Sequence, residues 1–262
     1  MEITNFGQWA MVAGSAEGLG AAFSRSLARR GLNLILVDQN ESALESLKKD
    51  LCRVFNIRVE TIITDLAKSD SPSLLRDVME QHDCGLLIYN AAFGPVRLFK
   101  DLSEKDIDTT INVNLGTPTR LIQMWLEGRQ DKKTGVILLS SLAGFRGTRL
   151  VVPYAATKAY LWNFTEGLHY EYQNKPYTFA VCCPGAIGTP NYLGTKPRPF
   201  WLAPIPSKPS DVAEYTLRKF GGQLFIMPGR MNRISHFFMS YILPRSWASG
   251  LHNYVMRKLY EA

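Results

Sequence analysis

Residues 9–38 read W-A-M-V-A-G-S-A-E-G-L-G-A-A-F-S-R-S-L-A-R-R-G-L-N-L-I-L-V-D, and this stretch decides the fold. Trp9 to Ala13 is a short apolar run punctuated after its end by Gly14, Gly18 and Gly20. Residues 21–30 then carry helical spacing and Gly31 stops them. Residues 33–38 form a second apolar run ending in the carboxylate of Asp38. The pattern predicts strand, glycine turn, helix, strand. Glycines in such a turn let the backbone approach a pyrophosphate, and the helix N-terminus presents free N–H groups and a positive dipole end. Glycine-rich turns are common, so the reading needs the rest of the chain.

Working outward, helical spacing recurs at 41–55, 71–82, 104–112, 115–129, from Tyr154 to about 173, and at 210–220. Apolar β-rich runs recur at 57–63, 85–90, from Val136, at 177–183 and at 223–227. Alternation of this kind implies an α/β fold, a doubly wound parallel sheet of seven strands with helices on both faces. The 262 residues, 46% of them hydrophobic, suffice for a single Rossmann-type domain over 1–262, and no linker or repeat divides them.

Composition narrows the function classes. The net charge of +7 is concentrated late: Arg218, Lys219, Arg230, Arg233, Arg245, Arg257 and Lys258 face Glu261 alone over 218–262. No nucleic-acid motif accompanies them, so a solvated tail or a membrane-surface patch is expected and a nucleic-acid partner is not. The extension over 228–262 also carries Phe237, Phe238, Tyr241, Trp247 and Tyr254. Cys52, Cys84, Cys182 and Cys183 show no metal-ligand spacing, and the adjacent pair reads as small buried hydrophobes of a reducing compartment. No basic leader with a long apolar stretch and no run of 18 apolar residues is present, so a soluble, cytoplasmic protein is expected.

The chemistry concentrates between Val136 and Lys158. An apolar strand delivers Ser140 and Ser141 at its end, a glycine-punctuated loop follows, and Pro153 opens a helix carrying Tyr154 and Lys158 on one face. An adjacent cation favours the phenolate, which would make Tyr154 a usable acid or base. Tyr-x-x-x-Lys also occurs at 192/196, 215/219 and 254/258, so the spacing alone signifies little; only the Tyr154/Lys158 pair follows a buried strand ending in Ser-Ser.

Further candidates lie at other strand ends. Asp38, 20 residues after Gly18, can hydrogen-bond adenosine ribose hydroxyls or belong to the N-cap region of the next helix. With Glu17 adding negative charge and no base directly after Asp38, the pattern favours NAD over NADP. Asp65 can reach an adenine or close a loop. Asn90, Ala91 and Ala92 leave room for a ligand against backbone. Asn112 and Asn114 are polar in apolar surroundings, which a helix tolerates only when they are bonded. His82 ends its helix as a dipole complement. The stretch over 192–210, rich in proline and aromatics and without periodicity, is a substrate lid or a plain surface loop, within a lid region taken as 187–210.

Taken in order, these motifs resemble the short-chain dehydrogenase/reductase family of NAD(P)-dependent oxidoreductases over about residues 8–227. Residues 13–20 are similar to its T-G-x-x-x-G-x-G, with Ala13 for the usual Thr. Tyr89-Asn90-Ala91-Ala92 is similar to N-N-A-G and departs at both ends, so Asn90 carries over and the first Asn's role does not. Asn114, Ser141, Tyr154 and Lys158 match the catalytic tetrad, and Pro184-Gly185 through Thr189 matches P-G-x-x-x-T. The resemblance implies that Tyr154 exchanges a proton with the substrate oxygen, Ser141 hydrogen-bonds that oxygen, Lys158 lowers the tyrosine pKa and binds the nicotinamide ribose, and Asn114 holds a relay water. It implies cofactor contacts at Gly14, Ser15, Glu17, Gly18, Leu19 and Gly20, at Asp38, at Asp65 and Leu66, at Asn90, Ala91 and Ala92, at Tyr154 and Lys158, and at Pro184, Gly185, Ile187 and Thr189. It implies no metal and, through the Tyr154 helix, a homodimer or homotetramer.

Two functions stay open. One is an oxidoreductase for an apolar secondary alcohol or ketone, with Phe93, Phe145, Leu150, Val151, Val152, Tyr192, Phe200 and Trp201 near the pocket mouth. The other is a nucleotide-binding, membrane-peripheral or regulatory protein that makes contact through the basic aromatic tail.

Overall fold

The structure, a computed structural model, describes residues 2–129 and 131–261. Strands β1 (Trp9–Ala13), β2 (Asn33–Asp38), β3 (Val59–Ile63), β4 (Leu86–Tyr89), β5 (Thr134–Leu139), β6 (Tyr177–Cys182) and β7 (Phe225–Ile226) make one sheet in the order β3-β2-β1-β4-β5-β6-β7. Every pairing is parallel. The winding direction reverses between β1 and β4, so the C-terminal ends of these strands open the crevice in which α/β sheets receive ligands.

Among the described residues ten α-helices accompany the sheet: α1 (Gly18–Ala28), α2 (Glu41–Val54), α3 (Ser71–Gln81), α4 (Glu104–Ile111), α5 (Thr117–Glu127), α6 (Val152–Glu171), α7 (Pro190–Gly194), α8 (Pro209–Lys219), α9 (Arg230–Phe237) and α10 (Arg245–Tyr260). Strand pleating divides the core between two layers. Ala10 and Val12 of β1 pack with Phe23 of α1, Leu44 of α2 and Leu217 of α8, while Met11 and Ala13 pack with Leu75 of α3, Trp125 of α5 and Leu161 of α6. Covered on both sides, β1 is buried throughout, which is why it reads as a continuous apolar run rather than an alternating one.

Three expectations are corrected. The helices expected at 104–112 and 115–129 are joined by a π turn, Asn112–Gly116, that inserts Asn114 into the interior. The last strand contracts from 223–227 to Phe225–Ile226 at the sheet edge. The aperiodic 192–210 stretch begins inside α7, which Thr189 caps by accepting from the Tyr192 N–H at 3.2 Å.

The tail is not a solvated appendage. α9, a π turn over Phe238–Ile242 and α10 fold back onto the β5–α6 loop. The Arg146 guanidinium donates to the Met239 carbonyl at 2.8 Å, Asn253 accepts from the Arg149 N–H at 2.7 Å and donates to the Gly147 carbonyl at 3.0 Å, and Glu261 pairs with Arg149 at 2.6 Å. Apart from Leu259, its inward contacts come from small and polar residues such as Ala248, His252 and Asn253, so apolar periodicity gave little sign of docking.

Candidate active site

The crevice begins at the glycine turn. Gly14 has φ +75°, and a Cβ there would lie 2.6 Å from the Ala91 Cα, so the ends of β1 and β4 approach as only glycine allows. Asn90 fastens the approach by donating from Nδ2 to the Gly14 carbonyl at 2.8 Å, and the Gly14 and Ser15 N–H groups donate to the Val37 carbonyl. A Cβ on Gly20 would fall 1.9 Å from the Gly14 carbonyl oxygen, which fixes how closely α1 starts beneath the turn.

No side chain caps α1 after the exposed Glu17, and the same holds for α3, α5, α6, α8, α9 and α10. What sets α1 apart is the glycine turn before it, which lets a ligand approach its leading amides. Leu19 is buried beneath them, and the Thr189 methyl abuts Gly18, where a Cβ would come within 2.8 Å of it. This brings the 184–190 segment over the turn.

Asp38 stands at the C-terminal end of β2, its Oδ2 accepting from the Ala16 N–H at 3.0 Å and its Oδ1 from the Asn40 N–H at 3.1 Å. Asn40 is the cap residue of α2, and through the bond to its N–H Asp38 belongs to the N-cap region of that helix as well as to the glycine turn. Asp65 closes its own loop by accepting from the Ala67 N–H at 2.9 Å, and the carbonyl of buried Leu66 accepts from the Thr117 hydroxyl at 2.7 Å.

Ser141, Tyr154 and Lys158 meet where β5 ends. Ser140, the preceding residue, is buried and donates to the Lys158 carbonyl at 2.7 Å, clamping strand end to helix. The Ser141 hydroxyl accepts from the Ala143 N–H at 3.2 Å. Burial pushes the Tyr154 phenol above its ordinary pKa, and the neighbouring Ser141 hydroxyl pulls it back. Lys158 is buried, its Nζ donating to the Leu139 carbonyl at 2.6 Å and standing 5.3 Å from the centre of the Tyr154 ring. Burial lowers the Lys158 pKa to about 8. The balance at Tyr154 is therefore set by burial against Ser141, whereas the sequence reading looked to the lysine.

Both donors of the Asn114 amide are engaged and its oxygen holds one bond. Its Oδ1 accepts from the Phe93 N–H at 2.7 Å, and its Nδ2 donates to the Phe93 carbonyl at 2.8 Å and to the Thr157 hydroxyl at 3.1 Å. The side chain joins the loop after β4 to α6, and its Oδ1 keeps a second lone pair. Thr157, between the two α6 candidates, went unnoticed because only the fold brings Asn114 to it.

A cavity of about 380 Å³ is lined by Pro95, Val96, Arg97, Leu150, Thr195 and Tyr260, none of them a member of this cluster. Gly94, one residue earlier, abuts the Tyr154 ring so closely that a Cβ would lie 2.5 Å from it. Of the eight apolar residues expected at the mouth, Leu150 alone lines this cavity. Phe145, which packs against Trp162 and His236, and Val152 line instead a second cavity of about 360 Å³ with Gly144, Ala155 and Ala159, and Trp201 faces solvent. The lining is mixed rather than apolar. Leu150 holds φ +68°, an uncommon conformation for a branched residue, and its carbonyl accepts from the Arg97 N–H at 2.8 Å. Arg97, Thr195 and Tyr260 come from three distant segments, and no spacing could have united them.

A parallel α/β sheet with an uncapped glycine turn at its switch point and a Ser, Tyr and Lys cluster at a neighbouring strand end defines a dinucleotide-binding oxidoreductase class. Residues 8–196 match the family model described as short chain dehydrogenase, and the chain belongs to that family. A human protein named inactive hydroxysteroid dehydrogenase-like protein 1 is 32% identical over 224 residues, covering 82% of this chain and 67% of that one. A 7beta-hydroxysteroid dehydrogenase of Clostridium sardiniense is 28% identical over 229 residues, covering 87% and 88%. A solved structure from work on 7beta-hydroxysteroid dehydrogenase stereoselectivity shares the fold with a TM-score of 0.86, at 22% identity, over 96% of this chain and 99% of that one.

Proposed function

We propose that the chain moves a hydride between NAD, in preference to NADP, and the carbon of a bulky secondary alcohol or ketone of the hydroxysteroid class. The observation that carries this reading is the convergence of Ser141, Tyr154 and Lys158 at the end of β5, where Gly94 abuts the Tyr154 ring and the next residue, Pro95, lines a cavity of ligand size. The site fits the dinucleotide: the turn is closed against any Cβ at Gly14 and Gly20, and the first amides of α1 are uncapped. Bound there, a nicotinamide supplies the hydride for ketone reduction or accepts it in alcohol oxidation.

The chain's own residues do the rest. Tyr154, held protonated by burial, donates its proton to the substrate oxygen in the reductive direction and takes it back in the oxidative one. Ser141 directs its hydroxyl at the same oxygen as charge develops. Lys158 places its Nζ 5.3 Å from the centre of the Tyr154 ring, where a cation would offset the charge of the phenolate that forms once the proton has left. Asn114 works through position, by fixing Phe93 and Thr157. Asp38, anchored on the turn by Ala16, sets a carboxylate where a 2′-phosphate would approach and so favours NAD.

The class of substrate is supported by the names of two relatives at 28–32% identity. A second reading, a protein that binds the dinucleotide without turnover, is favoured by the word inactive in the name of the human relative. Reduced-nicotinamide absorbance, followed with hydroxysteroids and simpler secondary alcohols under NAD or NADP, separates the two. Turnover that survives Tyr154→Phe would sink the mechanism, and NADH binding without turnover on any panel member would select the second reading.

A further inference from the structure

We propose that lid and tail together form a docking surface for the face of an anionic lipid bilayer, arranged around the mouth of the cavity lined by Thr195 and Tyr260. The surface deepens the oxidoreductase reading, on which it rests for what is delivered: an alcohol or ketone dissolved in the membrane.

The tail has an inner and an outer side. Within α9 and the π turn after it, Asn232 packs on Gly185, where a Cβ would lie 2.6 Å from its Oδ1, His236 packs on Phe145, and the Met239 carbonyl holds Arg146. The other side carries Ile234, Phe238, Tyr241 and Ile242, all exposed, Tyr241 to 72%. In α10, Ala248, His252 and Leu259 turn inward, while Trp247, Leu251 and Tyr254 stand out at helical spacing, Trp247 exposed to 70%. The lid adds Trp201, 84% exposed, and Ile205, 92% exposed. Large apolar side chains scattered singly are ordinary on a surface, but successive stripes of them mark a site of interaction.

Charge selects the occupant. Over 228–262 the ionisable residues besides histidine and tyrosine are Arg230, Arg233, Arg245, Arg257, Lys258 and one acid, Glu261. Glu261 is shared between Arg149 at 2.6 Å and Arg257 at 3.8 Å, which leaves Arg230, Arg233, Arg245 and Lys258 without an acid from this segment. A second copy docking this surface on itself would set these four cations against four, whereas an anionic bilayer neutralises them and accepts the aromatic rings at its interface. Among the described residues no helix is long and apolar enough to cross a membrane, so the tail would lie on the bilayer.

Position links the surface to the site. The Tyr260 and Thr195 hydroxyls, 3.1 Å apart, join α10 to the lid, and both residues line the cavity. The Arg198 N–H donates to the Leu259 carbonyl at 2.9 Å, fastening the same junction.

The test floats the full-length protein with vesicles of phosphatidylcholine alone and of phosphatidylcholine mixed with phosphatidylglycerol. Two double variants confined to exposed side chains, Phe238→Ser with Trp247→Ser and Arg230→Glu with Arg245→Glu, accompany it, with NADH binding as the check on fold and site. The wild type is expected to float with the anionic vesicles and not the neutral ones. Either double variant, or high salt for the charged component, is expected to lower the bound fraction roughly tenfold while NADH binding holds. A wild type that ignores anionic vesicles overturns the proposal, as does one that ignores them while the serine variant turns a dimer into a monomer, which would make the surface an interface between copies. Flotation that persists in a protein unable to bind NADH would sustain the docking surface and remove the oxidoreductase reading instead.

Discussion

Asn114 and Phe93 are joined by a matched pair of hydrogen bonds, Oδ1 accepting from the Phe93 N–H at 2.7 Å and Nδ2 donating to the Phe93 carbonyl at 2.8 Å. Phe93 begins the turn that lays Gly94 on the Tyr154 ring, so this pair helps set the position of the acid/base candidate. Asn114→Ala removes a fully buried amide and strips both part-buried backbone groups of Phe93 of their partner, at a cost of about 1–3 kcal/mol. The urea midpoint measures it. A shift equivalent to less than about 0.5 kcal/mol would show that the bridge is unimportant.

Tyr154→Phe removes the one proton that the cluster can exchange with a substrate oxygen and leaves the ring packed on Gly94. Turnover should fall roughly 10²- to 10⁴-fold while NADH affinity changes little. Loss of binding and turnover together would mean that the substitution disturbs the site as a whole, and the proton-transfer role would lose its support.

How much of this was legible in the sequence depends on how local each signal is. The glycine turn, β2 ending in Asp38, and the strand end carrying Ser141 ahead of Tyr154 are written within short windows, and the sheet follows from their alternation. The bridge from Asn114 to Thr157 spans 43 positions and exists only once α4 and α5 are joined through the π turn. The docked tail was hidden for a different reason. Apart from Leu259 its buried side is polar and small, and its apolar stripes face outward, the reverse of the pattern that marks a packed helix. The residues expected at the pocket mouth are divided because aromatic content says nothing of direction: Leu150 lines one cavity, Phe145 and Val152 another, and Trp201 faces solvent.

Two glycines should respond in opposite ways to the same substitution. Gly20→Ala would place a methyl 1.9 Å from the Gly14 carbonyl oxygen, forcing the turn apart and abolishing NADH binding. Gly167 lies exposed within α6 with nothing near its Cβ position, so Gly167→Ala should stabilise by about 0.5–1 kcal/mol through helix propensity alone. Thermal unfolding of both variants, with NADH titration of the first, checks the pair. A Gly20→Ala protein that still binds NADH would contradict the close-approach argument.

Asp38→Asn keeps the shape of the side chain and its acceptance from the Ala16 N–H through Oδ1, but removes the negative charge. With that repulsion gone, the NADP to NAD ratio of kcat/KM should rise about tenfold or more. An unchanged ratio would show that Asp38 serves the turn and not the choice of cofactor.

The tail should loosen in acid. The His252 ring shares a hydrogen bond with the Thr148 hydroxyl at 3.0 Å, and burial, with Arg146 adding to it, lowers the His252 pKa below its ordinary 6.5; His236, packed on Phe145, is lowered by the same two causes. A freed histidine then binds a proton that the docked one refuses. The docking contribution is complete above the ordinary value and is lost as pH falls below it towards the docked value. Chymotrypsin should therefore cut at the tail aromatics faster at about pH 5 than at about pH 7.5, after correction for the protease's own profile. His252→Gln offers Thr148 a partner that does not titrate and should flatten most of that dependence, with His236 responsible for the remainder. Equal corrected rates at the two pH values in the wild type would rule out histidine control of the latch.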